Sequence, residues 1–429
     1  MDTLYVLAQL GLLVFCIRIF SAYSPITIFV TIWLINYLMY LFSMERIIDL
    51  SSDFVKAWSA IPYNNYHNID PIVGNVTLSQ SLFVVIGGFV IRKKGNASTL
   101  EGGSNIHNIN STSDNPLKIG TGLYSLLASI ALILLTILHA LIVDWNVLWF
   151  NTTYLTIHDP ERIGFSGPLL RVLHQGLIII GLCSYLLFEN YKKVYGIVRS
   201  AVILLPFVYT IVIYVAASSR SATVLIAAPL LYSIIYRKYL LMGFWLIMFG
   251  FVFTMCIIGR NESYLGISAI PHNATLALES IDTVFLGLLI NSFQGCQVFA
   301  EALLLSRPEY TSDYKILSFS PFPAFIDGFT MFSQVRVNEY VPFNNISEAY
   351  YFGNYYLLVY FITLSIYCSI AHLAAKVANY AGRITVISLF VLTVMLMSSY
   401  PIRNCFRFEL ITSVVAMYIY RTQNRTRVQ

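Results

Sequence analysis

Eleven apolar stretches limit this chain more than any other feature. They lie at about 4–20, 25–42, 74–91, 122–143, 169–188, 201–217, 222–236, 239–259, 350–373, 384–400 and 408–420. An apolar run of about 17 to 25 residues matches the thickness of bilayer hydrocarbon. Backbone polar groups find no water in that layer, so a crossing segment satisfies them internally, as a helix. The sequence therefore predicts an all-α polytopic membrane helix bundle, a single transmembrane domain over 1–429. The seventh and last runs are short, so the eleven spans are bracketed by ten and thirteen. Composition agrees. Hydrophobic residues make up 57% of the chain and charged residues 11%, against about 25% charged in soluble domains. The mean hydropathy is +0.71. A large soluble core is excluded. The net charge of +5 reads as topology signal, with no nucleic acid as partner. Six cysteines are scattered without pair spacing, four of them in apolar runs, so neither a disulfide framework nor a metal site is indicated. The first apolar run lacks a basic leader and a small-residue cleavage site and is read as a span.

Short-loop Lys and Arg orient the spans. Arg92-Lys93-Lys94, Lys192-Lys193, Arg237-Lys238, Lys376 with Arg383, and the Arg421, Arg425 and Arg427 tail fall on one side when spans alternate. That side is assigned to the cytoplasm, with the C-terminus there and the N-terminus outside. The polar stretch 95–122 reads as a flexible cytoplasmic loop, and 260–349 as a large structured outer loop. On this assignment the cytoplasmic side carries seven Lys and eight Arg, and the outer side two Lys and nine Arg. Arg binds phosphate and carboxylate oxygens through a planar fork that Lys lacks. Each of Arg171, Arg220, Arg260, Arg403 and Arg407 near span ends has an ordinary explanation in snorkelling to lipid headgroups. As a set they point to anion binding at the outer boundary.

Four constellations near that boundary carry chemistry. Ser218-Ser219-Arg220-Ser221-Ala222-Thr223 joins two spans; it fits a small phosphate cradle, with the Ser219 hydroxyl as donor, or a sharp polar turn. Gly259-Arg260-Asn261-Glu262 ends a span and reads as an anion contact or a local ion pair. The stretch 320–354 holds the stiff Ser320-Pro321-Phe322-Pro323-Ala324-Phe325 wedge, then Arg336, Glu339, Glu348 and Tyr350. Glu348 stands at the threshold of a span, as a base of raised pKa or as an acid favoured by a helix N-terminus. Gly353 is read as admitting a close neighbour. Arg403 and Arg407 stand four apart, on one side if their turn is helical. The histidines are dispersed without metal-ligand spacing. His272 shares the long loop with Arg260 and is the best histidine base, although a loop histidine is commonly just solvated.

Many spans, a large outer loop in the C-terminal half, the Ser218-Ser219-Arg220-Ser221-Ala222-Thr223 turn and Asn345-Ile346-Ser347-Glu348-Ala349-Tyr350-Tyr351-Phe352-Gly353-Asn354 resemble the Wzy-type O-antigen polymerases. Related members carry a Gly-Ser-Lys/Arg-Gly-like turn at the first place, where this chain has Ser218 and Ser221 for the glycines. An arginine-x10-glycine pattern used by some members is absent at Arg260, Arg307 and Arg336. The resemblance implies a GT-C-like glycosyltransferase of the bacterial inner membrane with a periplasmic active site. Glycan would pass from undecaprenyl diphosphate to the non-reducing end of a new lipid-linked repeat unit, without metal or other cofactor. Implied partners are the undecaprenyl-diphosphate-linked oligosaccharide, membrane lipid and a chain-length regulator protein. On this reading Arg220, Arg260, Arg336, Arg403 and Arg407 with Ser219 and Tyr350 bind diphosphate and glycan. Glu348 or His272 takes the acceptor proton. An O-antigen ligase shares the donor chemistry, and a lipid-linked oligosaccharide flippase is the transport alternative.

Overall fold

A computed structural model describes residues 2–44, 69–99, 123–152, 168–219, 221–259, 265–279, 292–305, 308–320, 335, 337 and 341–428. In chain order its helices are α1 (Asp2–Phe20), α2 (Pro25–Met44), α3 (Asp70–Thr99), α4 (Leu123–Ile142), α5 (Trp145–Phe150), α6 (Pro168–Tyr195), α7 (Ile197–Ala216) and α8 (Ser221–Ile235). They continue with α9 (Tyr239–Ile258), α10 (Ile270–Glu279), α11 (Gly295–Leu304), α12 (Ser312–Ser318), α13 (Asn345–Phe352), α14 (Asn354–Val377), α15 (Tyr380–Met397) and α16 (Ile402–Val428). Among the described residues there is no strand. Each of the eleven apolar runs lies on a helix. Among the described residues seven helices, α1, α2, α3, α4, α7, α9 and α14, are long and apolar enough to cross a membrane. The other four runs lie on α6, α8, α15 and α16.

The chain divides into two compact units, Met1–Asn110 with Leu289–Gln429, and Ser111–Leu288. Both boundaries fall inside the stretches 95–122 and 260–349, which sequence assigned to loops within one domain. The stretch 95–122 begins as helix, since α3 runs on to Thr99; residues 100–122 lie outside the described residues. The large loop carries a 3-10 turn (Ile267–Ala269), α10, α11 and α12. Its apolar segment at 283–290 and nearly all of its proline-aromatic wedge, 321–325, lie outside the described residues.

In the first unit, α1 and α2 form a hairpin closed by 21–24. On α2, Phe29, Trp33, Tyr37 and Tyr40 are buried at the three- and four-residue spacing of one helix face. Val73, Thr77, Gln80 and Val84 do the same on α3. That face meets α14, where Tyr360 OH accepts from Gln80 Nε2 at 3.2 Å and Ser365 Oγ donates to the Phe83 carbonyl at 3.0 Å. Such hydrogen bonds hold membrane helices together where apolar burial gives no preference for protein over lipid. Tyr367 stacks on Phe390 of α15 with ring centres 5.2 Å apart.

The run at 350–373 is interrupted. Gly353 has φ 104° and ψ 168° and separates α13 from α14. A Cβ there would meet nothing within 4 Å. The glycine thus serves the backbone turn, and no described residue makes a close approach to it.

In the second unit, α6 and α7 pack as a hairpin joined by Gly196, and α8 and α9 as another joined by 236–238. Helix α4 lies against α6 and α7, and α10 against α9. Leu177, Phe207, Tyr214 and Leu225 are buried in its interior.

Candidate functional site

One end of the first unit gathers polar groups that the bilayer interior would penalise. It begins with Asn344, wholly buried just before α13. Its Oδ1 accepts from Ser347 N at 3.0 Å, which caps α13. Its Nδ2 donates to the Gly295 carbonyl at 2.7 Å and to the Ser398 carbonyl at 3.3 Å. Gly295 N in turn donates to Asn36 Oδ1 at 2.6 Å, and Asn36 Nδ2 to the Ile32 carbonyl at 2.9 Å. Two buried asparagines therefore tie α2, α11, α13 and the end of α15 together. Such groups are expensive to bury unless hydrogen-bonded. The neighbouring Asn345 breaks that rule: it is wholly buried, and both its polar side-chain atoms lack a hydrogen-bond partner among the described residues.

One turn further along α13 stands Glu348, 1% exposed. Its Oε1 accepts from Tyr314 OH of α12 at 2.9 Å, and its Oε2 from Ile402 N, the first residue of α16, at 2.8 Å. Burial pushes this carboxyl up from 4.5 to about 7, and the bonds from Ile402 and Tyr314 hold it back from rising further. Both sequence readings of Glu348 thus have a physical counterpart: it sits at two helix N-termini, and its pKa falls in the range useful for proton transfer near neutral pH. Tyr310 stacks on Tyr314 at 5.3 Å, and Phe352 meets both rings edge-on.

The start of α16 is helical, so Arg403 and Arg407 lie one turn apart. Burial, and then the like charge of Arg407, lower the Arg403 guanidinium from its ordinary value, while Tyr314 opposes them. Arg407 is half-buried, and its Nε has no hydrogen-bond partner among the described residues. Phe406 between them meets Phe319 edge-on at 6.3 Å. Tyr350 of α13 is half-buried, with Phe299 edge-on to its ring at 5.4 Å. Of the sequence candidates, Glu348, Tyr350, Arg403 and Arg407 thus share the first unit, and Glu348 is bonded to the residue preceding Arg403.

Ser219 and His272 belong to the second unit. Ser219 is buried in the α7–α8 turn, which Ser218 enters at φ 50°. His272 is exposed in the first turn of α10. Gly259 joins these regions: a Cβ on it would stand 2.4 Å from Ser218 Oγ and 2.6 Å from Asn273 Nδ2. The polar turn, the end of α9 and the start of α10 are therefore packed together. Arg220, Arg260, Glu262, Arg336 and Glu339 lie outside the described residues, as does the backbone around 158–162. The Arg171 side chain is likewise outside the description.

Sequence reasoning missed Tyr314 and the pairing of Asn344 with Gly295, because each partner is distant along the chain and carries no motif. It also missed a buried hydrogen-bonded chain in the second unit. His139 Nδ1 lies 2.8 Å from Tyr209 OH, and His139 Nε2 lies 3.2 Å from His174 Nδ1. Two histidines inside apolar runs were the available signal, but nothing in their spacing paired them.

No family model matches this sequence, and comparison with curated proteins and with solved structures gives no significant match.

Proposed function

We propose that this chain is an O-antigen polymerase, joining lipid-linked oligosaccharide repeat units at the outer face of a bacterial inner membrane. The observation that carries the reading is the pair Arg403 and Arg407 on the first turns of α16, with a buried Arg407 Nε that makes no hydrogen bond among the described residues, beside the Glu348 cluster. Like charges four apart on a helix repel by a few tenths of a kcal/mol. A diphosphate between the two forks reverses that cost and satisfies the Arg407 Nε.

In the proposed reaction the acceptor hydroxyl oxygen attacks the anomeric carbon of the donor glycan. The bond from that carbon to the diphosphate oxygen breaks, and undecaprenyl diphosphate leaves with the bonding pair. Arg403 and Arg407 stabilise its charge. Glu348 receives the hydroxyl proton. Tyr350 and the aromatic rings near it offer faces to sugar rings.

The test is complementation of a strain deleted for this chain, read as the lipopolysaccharide banding pattern. Arg403→Ala with Arg407→Ala is expected to collapse the ladder to a single repeat unit, and Arg403→Lys with Arg407→Lys to restore part of it. Full-length ladders from the double Ala variant would overturn the proposal. A ligase would instead leave the lipid core bare. A flippase reading draws on the Tyr209–His139–His174 chain, since ionisable groups inside a membrane commonly serve transport. It predicts that His139→Ala traps the repeat unit on the cytoplasmic side.

A further inference from the structure

The first unit holds a cavity of about 330 Å³ at the far end of α14 from Glu348. Helix α14 has 24 residues, about 35 Å at 1.5 Å per residue, so the cavity is a membrane thickness away from the cluster described above. Its lining is divided in character. Phe20, Ile91 and Leu373 are apolar, whereas Ser21, Ser24, His372, Lys376 and Arg383 are polar or cationic, and among the described residues no carboxylate lines it.

The cationic side is held in place. Arg383 Nε donates to the Ala375 carbonyl at 3.0 Å, which fixes the plane of its guanidinium. His372 Nδ1 and Ser24 Oγ are hydrogen-bonded at 2.8 Å, and Phe20 meets the imidazole edge-on at 5.5 Å. Ser24 Oγ also accepts from Ile26 N at 3.3 Å in the first turn of α2, so the positive end of that 20-residue helix faces the same place. Ser21, which also lines the cavity, adopts φ 79°, a conformation that favours glycine. Basic residues that merely snorkel need neither a cavity nor backbone anchoring.

We propose that this cavity binds the phosphoryl group of an amphiphile, with Lys376 and Arg383 pairing its charge, the Ser21 and Ser24 side of the cavity contributing hydroxyls, and Phe20, Ile91 and Leu373 lying along its hydrocarbon. Basic pockets between helices at the cytoplasmic boundary hold anionic lipid headgroups by this combination. The site is independent of the polymerase reading, because it uses none of the residues assigned to glycan transfer. The recognised chemistry is a phosphoryl group whose negative charge no headgroup cation offsets, whether it arrives on an anionic bilayer lipid or as a free anion.

The experiment uses the full chain purified in detergent and native mass spectrometry with phosphatidylglycerol, phosphatidylcholine and inorganic phosphate. The wild type is expected to retain phosphatidylglycerol at least about tenfold better than phosphatidylcholine, and Lys376→Gln with Arg383→Gln to bring that ratio close to one. Lys376→Arg with Arg383→Lys keeps most of the preference. Inorganic phosphate at millimolar concentration that displaces the lipid assigns recognition to the phosphoryl group alone; failure to displace assigns it to the whole amphiphile. Should Arg383→Gln impair folding through loss of the Ala375 bond, Lys376→Gln alone carries the test, since Lys376 is exposed and its loss leaves the helix packing intact. Equal retention of the two lipids by the wild type overturns the proposal. So does an unchanged preference in a Gln variant that melts like the wild type.

Discussion

Glu348→Gln separates the charge of this buried carboxyl from its shape. The wild-type group is raised from 4.5 to about 7 in the folded protein, chiefly by burial. Between those two values the folded state holds a proton that the unfolded state has released. Stability therefore declines as pH rises through that window, and the loss is complete once pH exceeds the folded value. The rise corresponds to roughly 3 kcal/mol, with a steepest slope of about 1.4 kcal/mol per pH unit. Glutamine is the neutral isostere. Its carbonyl accepts from Ile402 N as Oε2 does, and its amide donates to the Tyr314 oxygen once that hydroxyl turns its hydrogen away. The two proteins are thus expected to be nearly equally stable at pH 5, with the variant gaining roughly 3 kcal/mol on the wild type by pH 8.5. At about 2–4 °C per kcal/mol for a unit of this size, the variant melts about 6–12 °C higher at the alkaline end. Thermal melts in detergent, followed by intrinsic fluorescence at one scan rate from pH 5 to 8.5, give the difference directly, because every other titrating group is common to both proteins. A difference that stays flat with pH, or a variant less stable at pH 8.5, refutes the reasoning.

Asn344→Ala removes the α13 cap and leaves the Gly295 and Ser398 carbonyls unpaired in the interior. A loss of about 3–5 kcal/mol is expected, measured as a fall in melting temperature and in yield of folded protein. Gly353→Ala meets no atom within 4 Å, so its whole cost comes from φ 104°, about 1–3 kcal/mol. The control is Gly11→Ala on α1, equally open to space but in ordinary helical backbone; it is expected to melt at or slightly above the wild-type temperature.

Much of the fold was legible because lipid leaves a chain so few options. A run such as 239–259 has to be a helix if it crosses a bilayer, and α9 occupies that place. The spacing of Arg403 and Arg407 likewise needed only that their turn be helical. What lay beyond the sequence was pairing at a distance. Glu348 finds Tyr314 across 34 residues, Asn344 finds Gly295 across 49, and Gly295 finds Asn36 across 259. Nothing in a tyrosine or asparagine advertises such a partner. The division into two units was hidden for a related reason: one boundary falls in a polar stretch whose composition resembles any loop, the other in the apolar segment 283–290. The turn at Gly353 was not legible, because a glycine at a span entrance serves close packing as readily as a positive-φ turn, and only φ tells them apart.

The bond between Glu348 and Ile402 links the two halves of the proposed chemistry in a way that bears on how variants are interpreted. Ile402 N is the first donor of α16, and Arg403 follows it directly. The carboxyl therefore fixes where the arginine turns begin. Both of its oxygens are already engaged, one by Tyr314 and one by Ile402. For Glu348 to take a proton from a sugar hydroxyl, Tyr314 must yield its place, whereas Ile402 can remain. Glu348→Gln keeps the Ile402 bond and cannot act as a base; Glu348→Ala loses both. A polymerase in which the Gln variant is as inactive as the Ala variant needs the carboxylate for proton transfer. One in which Gln retains activity and Ala does not uses Glu348 to position Arg403 and Arg407, and its carboxylate is not the base.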